Sequence, residues 1–515
     1  MTFFGGDENL HFKIEDTRLL TLLNSIVIGT LIGLIVSTFR LSIEHMLKFF
    51  QQLYQQAANN WIWILIILAI NVALAFIVGF FVKKTPEISG SGIPQIEGQL
   101  AGEYEEKWWP VLWKKFVGGI LAIGSGLMLG REGPSIQLGA VVGQGWSKFR
   151  HYSGSQRRVM IAGGAAAGLS AAFNAPIAST LFVLEEIYHN FSPLVWISAL
   201  TSAIVSNFVS LNFFGLTPVL AMNHPRSLPL GMYWHLILLG ILLGIFGRLY
   251  QICTLRLKAW YGKLTFLPRW LHSIVPFVLI IPVGLLWPSY LGGGNELITY
   301  IARIHPVLLT MIILLIVRFV FSMISYGSGL PGGIFLPILT LGAVFGTVYV
   351  SAMTGLHLIN PSYLPNFVIY AMAGYFAAIG KAPFTAILLI TEMVGSLQHL
   401  MPLAVVALTA YIVLDLMGGE PIYESLLHQL VSTITATPSG PQDRVEVPIT
   451  EGSPLDGMAV RNIKWPKQSL LISIHRGSSQ LIPAGDSVIK VGDTLIVTTH
   501  HGQRGRVKEY FNNLM

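Results

Sequence analysis

One glycine-proline pattern occurs twice in this chain. Gly130-x-x-x-Pro134-x-x-x-Leu138-Gly139-Ala140-Val141-x-Gly143 returns 203 residues later as Gly333-x-x-x-Pro337-x-x-x-Leu341-Gly342-Ala343-Val344-x-Gly346. A second pair trails the two copies at an offset of 207: Ala175-Pro176 with Glu185 nine residues on, and Ala382-Pro383 with Glu392 nine residues on. Two blocks at nearly one offset require two similar halves. In a very apolar chain these are membrane halves, and transporter repeats of that kind place their substrate site at the repeat interface.

Composition sets the class. Of 515 residues, 53% are hydrophobic and 11% charged, with a mean hydropathy of +0.63, whereas soluble domains carry roughly 25% charge. The uncharged run Trp61–Val82 is long enough to span a hydrocarbon core, which needs about 20 apolar residues. Ile274–Trp287, Val307–Val317 and Pro402–Leu414 are further, shorter candidates. The 52 glycines cluster inside the apolar regions, where they permit close helix packing and broken helices.

The net charge of +7 does not point to nucleic acid, because the basic residues are dispersed: Lys83-Lys84, Lys114-Lys115, and Lys148, Arg150, Arg157 and Arg158. They read as markers of cytoplasmic loops by the positive-inside rule. Cys253 stands alone, which excludes an intrachain disulfide and a cysteine metal cluster. Neither a metal nor a cofactor is implied, and the chain does not read as an enzyme. Asp7, Glu8, Lys13, Glu15, Asp16 and Arg18 interrupt the first twenty residues, so a signal-peptide core is replaced by an expected cytoplasmic helix.

Leu19–Leu53 reads as a long first span, followed by Trp61–Val82 and a Gly-, Ser- and Pro-rich loop, Lys83–Pro94. From Trp113 to Tyr188 the apolar segments are punctuated by Gly126, Gly130, Gly133, Pro134, Gly163, Gly164, Gly168 and Pro176, which predicts half-helices in place of full spans. The second half repeats this from about Trp234 to Met417. The expected fold is an all-α polytopic membrane domain over residues 1–435, with halves at about 19–215 and 232–432. A linker at 436–443 leads to a small α+β domain at 444–515, with strand candidates Leu471–Ile474 and Thr494–Val497 and a terminal helix over Arg504–Asn513.

Three motifs place a flexible glycine turn before a proline: Gly90-Ser91-Gly92-Ile93-Pro94, Gly130-Arg131-Glu132-Gly133-Pro134 and Gly333-Ile334-Phe335-Leu336-Pro337. Proline is favoured in the first helical turn, so each motif is a candidate helix start within the membrane. Such a start exposes unpaired N–H groups and the positive end of a helix dipole, which together bind anions without a full cation. One copy alone is weak evidence, but three in order within a repeat are not. Gly327-Ser328-Gly329-Leu330-Pro331 mimics the first motif and is assigned to a loop.

In this order and spacing the motifs resemble those of the CLC chloride channels and proton-coupled chloride transporters, over roughly residues 15–432. That resemblance implies two inverted-topology repeats of tilted and broken helices. It also implies a homodimer with one pathway per subunit, in a bacterial inner membrane with both termini cytoplasmic. Ser91 corresponds to the serine whose hydroxyl contacts the central anion, and Tyr423 to the tyrosine that contacts it from the other side. The backbone N–H groups of Ile334 and Phe335 complete that shell, and Gly90, Gly92, Pro94, Gly130, Gly133 and Pro134 support it. Neutral donors suit a transported ion, because each adds about 1 to 3 kcal/mol without trapping it as a lysine would.

Glu132 is the candidate gate and external proton carrier. An ionised carboxylate at such a helix start can itself occupy the anion position, and intramembrane acids are costly and usually functional. Arg131 beside it is expected to compensate charge or support the outer mouth. Glu186 matches the family's internal proton glutamate. Passive channels typically lack an acid there, so its presence favours chloride–proton exchange, with a passive voltage- or pH-gated chloride channel of the same fold as the alternative. Glu185 and Glu392 are repeat mates, which suggests a structural role for both. Ser91 resembles chloride-preferring members, so chloride is the expected anion, with bromide and nitrate tolerated. Gln95 departs from the glutamate of many bacterial members.

The tail pattern Gly485-Asp486-x-x-Ile489-x-x-Gly492-Asp493-x-Leu495-x-Val497 resembles the TrkA-C domain of transport regulators. This implies a cytoplasmic regulatory domain with a small ligand; the other reading is an inert packing or dimerisation appendage. An intramembrane serine protease built on Ser170 is a distant third hypothesis for the chain, since no glycine-flanked catalytic histidine motif accompanies that serine.

Overall fold

The apolar segments fold into helices of very unequal length. The computed structural model describes residues 7–57, 60–220, 228–303, 307–431, 442–449, 453–467, 469–476, 479–500, 506–507 and 510–511. The first half comprises α1 (Asp7–Ala57), α2 (Trp61–Lys84), α3 (Ile93–Ala101), α4 (Trp108–Gly124), α5 (Glu132–Phe149), α6 (Gly154–Phe173), α7 (Pro176–Phe182) and α8 (Pro193–Phe214). The second comprises α9 (Tyr233–Gly262), α10 (Ile274–Leu286), α11 (Asn295–Ile301), α12 (Leu308–Gly327), α13 (Phe335–Gly355), α14 (Leu364–Gly380), α15 (Pro383–Val394), α16 (Leu400–Leu416) and α17 (Ile422–Val431). Among the described residues, nine helical segments are long and apolar enough to cross a membrane.

The outer helices α1, α2, α12 and α16 expose Leu31, Leu65, Ile313 and Leu408, as lipid-facing surfaces do. The core is formed by α5, α6, α13 and α14, which are buried almost throughout. The expected half-helices between Trp113 and Tyr188 are only partly realised. A short piece occurs at α7, but α5 and α6 run unbroken for 18 and 20 residues. Their glycines serve packing in place of breakage. A Cβ on Gly139 would lie 2.1 Å from the Gly164 carbonyl oxygen, and one on Gly168 2.1 Å from that of Ser135, so small residues let the two backbones touch.

The Ala-Pro repeat has a structural meaning in both halves. α6 ends at Asn174 (φ 54°) and α14 at Lys381 (φ 56°), both left-handed, and Ala-Pro then opens α7 and α15. The repeat-mate glutamates cross over. Glu392 accepts hydrogen bonds from Ile177 N (3.2 Å) and Ala178 N (2.7 Å), while Glu185 accepts from Thr385 N (3.0 Å) and Thr385 Oγ1 (2.6 Å). Each carboxylate thus satisfies the orphan amides of the other half's helix start. α7 continues into a π-helical turn, Val183–Ile187, the kind of irregularity found frequently at functional sites. It carries both Glu185 and Glu186.

The tail folds as an antiparallel sheet of β1 (Gln442–Pro448), β2 (Ser469–Arg476), β3 (Ser479–Leu481) and β4 (Asp493–His500), in the order β1-β4-β2-β3. Val445, Val447, Leu471, Ile474, Leu495 and Val497 form its core. Both strand candidates fall inside β2 and β4. Most of the expected linker, 436–441, lies outside the described residues. So does part of the expected terminal helix, of which Arg506, Val507, Tyr510 and Phe511 are helical. Arg476 grips the buried Asp493 bidentately, Nε to Oδ1 at 2.7 Å and Nη2 to Oδ2 at 2.8 Å.

Replacing Glu392 by Gln removes the charge from the α7 start and is expected to cost about 1 kcal/mol, with a similar loss for Glu185→Gln; thermal unfolding of the two variants in detergent checks both. In the tail, the hydrogen bonds from Arg476 hold the Asp493 carboxyl below the usual carboxylate range. The associated stability is therefore present above pH 4 and lost as pH falls through the lowered value. Hydrogen-exchange protection in β2 and β4, taken relative to the unprotected amide rate at each pH, is expected to fall on acidification in the wild type, and Asp493→Asn to remove that loss.

Candidate functional site

The two copies of the glycine-proline pattern meet backbone to backbone. Gly130 N donates to Gly333 O, and Gly333 N donates to Gly130 O, both at 2.7 Å, in an antiparallel bridge. α5 and α13 begin just after it. The first motif joins from the side: Gly90 N donates to Leu330 O at 3.2 Å, and Gly332 N to Gly90 O at 3.1 Å. Gly327–Pro331 is therefore the expected loop, and it also carries one strand of this junction.

Side chains explain the glycines. A Cβ on Gly130 would stand 2.5 Å from Glu132 Oε2 and 3.1 Å from Leu336 N, and one on Gly133 would stand 2.8 Å from the Ser91 carbonyl oxygen. The three motifs are thus in direct contact, and the Glu132 carboxylate lies over Gly130 against the start of α13. Glu132 is fully buried and neither oxygen completes a hydrogen bond, although the N–H groups of Glu132 and Leu336 face it. α5 and α13 both start without a side-chain cap, which leaves their first-turn amides for another partner.

Ser91 is buried and its Oγ accepts from Ile93 N at 3.3 Å. Ile334 and Phe335 are buried at the α13 start. The Phe335 ring packs against Phe376 (4.4 Å between centroids), Phe173 (5.2 Å) and Phe182 (5.4 Å). Tyr423, next to the α17 start, meets Phe182 edge-on at 6.1 Å. Its hydroxyl is buried without a hydrogen-bond partner and lies within electrostatic reach of Glu186, Tyr326, Tyr250 and Glu132. Glu186 is buried with Oε1 unpartnered, and Glu97, Glu185 and Glu424 surround it. Arg131 bridges two carboxylates: its Nε lies 3.9 Å from Glu132 Oε1 and its Nη1 meets Glu44 Oε1 at 2.7 Å, while Arg40 Nε meets that same Glu44 oxygen at 3.1 Å. A cleft of about 190 Å³ opens beside Arg131, Glu44 and Leu336.

Lys115 corrects the sequence reading. Expected to mark a cytoplasmic loop, it is wholly buried, and its Nζ donates to Gly90 O at 2.7 Å and Ile88 O at 2.9 Å. Gln95 and Gln137 complete that support, donating to Ser89 O and Glu87 O, both at 2.9 Å. The carbonyls leading into Ser91 are therefore fixed from behind by three side chains. The signal was present, because two lysines within Trp108–Gly124 interrupt an otherwise apolar helix, and ionisable groups in such segments are seldom bystanders. Tyr326, whose hydroxyl faces Ser91, had no motif to reveal it. Ser170, the protease candidate, is buried and donates to Ala203 O at 2.8 Å, a helix-packing bond.

Fold and site together define a multi-pass integral membrane protein of two inverted repeats, whose helix starts converge on a buried carboxylate. Residues 74–415 match the voltage gated chloride channel family, and residues 444–512 match the TrkA-C domain. An "H(+)/Cl(-) exchange transporter ClcA" from Klebsiella pneumoniae (strain 342) is 35% identical over 435 residues, covering 81% of this chain and 90% of that protein. Its counterpart from Vibrio campbellii is 37% identical over 413 residues, covering 78% and 88%. A solved structure described as a slow cyanobacterial Cl−/H+ antiporter aligns with a TM-score of 0.76 at 31% identity, covering 81% of this chain and 99% of that one. The chain belongs to the CLC family of voltage gated chloride channels and transporters, and carries a TrkA-C domain.

Lys115→Met strips the carbonyls of Ile88 and Gly90 of charge-assisted donors, each worth about 1.5 to 3 kcal/mol. Its thermal unfolding midpoint in detergent is expected to fall clearly below that of Lys114→Met, whose Nζ meets Thr85 Oγ1 and the Trp113 ring and no buried backbone carbonyl among the described residues.

Proposed function

We propose that this chain is a secondary active transporter that exchanges chloride for protons, with Glu132 as gate and external proton carrier and Glu186 as internal proton carrier. The observation that carries the reading is the Glu132 carboxylate lying at the uncapped start of α13, where a transported anion would find its backbone donors. The relatives' printed activity supports it.

In this mechanism chloride and the ionised Glu132 side chain compete for one place. The N–H groups of Ile334 and Phe335 and the hydroxyls of Ser91 and Tyr423 hold the anion, and the Arg131–Glu44–Arg40 cluster shapes the outer entrance. Protonation neutralises Glu132 and releases it from the helix start, which admits chloride. Glu186, buried near the Tyr423 hydroxyl, supplies protons from the opposite side. Gly90, Gly92, Pro94, Gly130, Gly133 and Pro134 build the turns. Bromide and nitrate fit the same neutral donors. The passive channel is disfavoured by the buried acid at Glu186.

The working unit is a homodimer in a bacterial inner membrane, with both termini cytoplasmic. Residues 1–435 form the transport domain, 436–443 a linker, and 444–515 a regulatory domain that senses a small ligand. The chain performs transport and no covalent chemistry on its cargo.

Reconstitution into liposomes with a chloride gradient tests the reading: external pH should record uphill proton movement driven by chloride. Glu186→Gln is expected to keep chloride flux and lose that movement, and Glu132→Gln to lose proton coupling and gating together. Chloride flux without proton movement in the wild type, or proton pumping that survives in Glu132→Gln, refutes the assignment.

A further inference from the structure

Gln251 lies in the middle of α9, a helix that carries none of the residues assigned to the anion, and its side chain is buried. Its amide is fully engaged. Nε2 donates to Glu420 O at 2.7 Å and to Ile379 O at 2.9 Å, while Oε1 accepts from Arg248 Nη1 at 3.3 Å. A glutamine amide has two N–H donors, so both are spent, and both on backbone. One of the two carbonyls belongs to the last turn of α14, where intrahelical donors run out. The other stands three residues before Tyr423.

The segment that delivers Tyr423 needs such an anchor. Between α16 and α17 the chain passes through Gly418, at φ 68°, and Gly419, and glycine backbone is conformationally permissive. Gly419 also leaves room for the glutamine, since a Cβ there would lie 2.9 Å from Gln251 Oε1. Gly418 N and Gly419 N donate back to Asp415 O and Leu414 O, at 2.9 and 3.0 Å, which fixes how the turn leaves α16. The Gln251 bond to Glu420 O fixes how it enters α17. Pro421 follows at once with its φ locked, so the anchor passes directly to the helix start. Tyr423 has no hydrogen-bonded anchor of its own: its hydroxyl is buried without a partner, and its ring meets Phe182 edge-on at 6.1 Å. The place of that hydroxyl is therefore set through the backbone.

We infer that Gln251 is a positioning residue for the anion site, holding the Tyr423 hydroxyl in place and locking the start of α17 to the end of α14. The second bond matters because Phe376, one turn before Ile379, packs on Phe335 at 4.4 Å. Phe335 is the residue whose backbone N–H is assigned to the anion. One buried amide thus joins the turn that carries the hydroxyl to the wall that supports the α13 start. A side chain without donors breaks both ties at once and leaves two carbonyls without that partner, so the glycine turn relaxes and the hydroxyl drifts. The inference rests on the reading of Tyr423 as an anion donor, and Gln251 acts through it.

The test is a double-variant cycle on chloride binding, measured by isothermal titration calorimetry on the full chain in detergent. Gln251→Met keeps the length of the side chain without its N–H groups and is expected to weaken chloride about fivefold, against about tenfold for Tyr423→Phe, the latter equivalent to about 1.4 kcal/mol. In the Tyr423→Phe background the Gln251→Met change should add almost nothing, because residues that act through one contact are not additive. A merely structural glutamine would add its full loss in either background. Gln251→His, which keeps one ring N–H, is read by the same cycle where the Met variant does not fold. Chloride weakened by Tyr423→Phe and untouched by the Gln251 variant overturns the positioning role alone, as does a Gln251 loss that persists undiminished beside Tyr423→Phe. Chloride binding unchanged in Tyr423→Phe overturns the reading of Tyr423 itself, and this inference with it.

Discussion

The reciprocal pair of hydrogen bonds between Gly130 and Gly333 is the constraint on which the rest of the membrane domain depends. Two N–H groups and two carbonyls at the start of two helices satisfy each other across the junction of the halves. This occupies only the residues before the helices. The first-turn amides of α5 and α13 stay free, in a region where water is not at hand to satisfy them, so an anion or a carboxylate becomes the natural partner. The glycines follow from the same constraint: at Gly130 a methyl group would fall on the Glu132 carboxylate, and at Gly133 on the Ser91 backbone.

Around this junction the protein spends its charge sparingly. The donors facing the candidate anion position are amides and hydroxyls, whereas the full cations stand one layer back. Lys115 is turned onto the carbonyls of Ile88 and Gly90, Arg131 onto Glu44, and Arg318 onto Gly292 O at 2.7 Å. A lysine in direct contact would bind a halide too firmly for turnover; a lysine behind the motif fixes the turn and still contributes a favourable potential. The same logic suits the carboxylate to the gating role proposed for it, in which protonation changes its competition with chloride for the helix start.

Much of this was legible in the sequence because repetition and punctuation leave marks. Gly130 and Gly333, Pro134 and Pro337, and Glu185 and Glu392 recur at matched spacing, and each mark has a structural counterpart. What was missed has the opposite property, being a single residue whose meaning depends on its neighbours in space. Lys115 looks like any loop lysine until the carbonyls it meets, 25 and 27 residues away, are known. Gly163, Gly164 and Gly168 looked like helix breakers, because sequence cannot distinguish a glycine that ends a helix from one that lets another backbone approach. Tyr326 lies outside every motif and Gln137 at an unmarked position within one, and only the fold brings them to Ser91 and Gly92.

The ties between the halves also bear on how such a protein can move. The Gly130–Gly333 bridge joins the halves at the site, and the crossed glutamates join them again where α7 and α15 begin, each carboxylate satisfying amides that would otherwise be orphaned in an apolar interior. Rocking one half against the other would break both sets together, leaving buried donors unpartnered at about 1 to 3 kcal/mol each. A rotation of the Glu132 side chain breaks none of these ties and gives up only its approach to Arg131 Nε at 3.9 Å and to the Glu132 and Leu336 amides. In the proposed mechanism, the motion that disturbs fewest of these ties is that of the Glu132 side chain, which ties opening to protonation without requiring the halves to part.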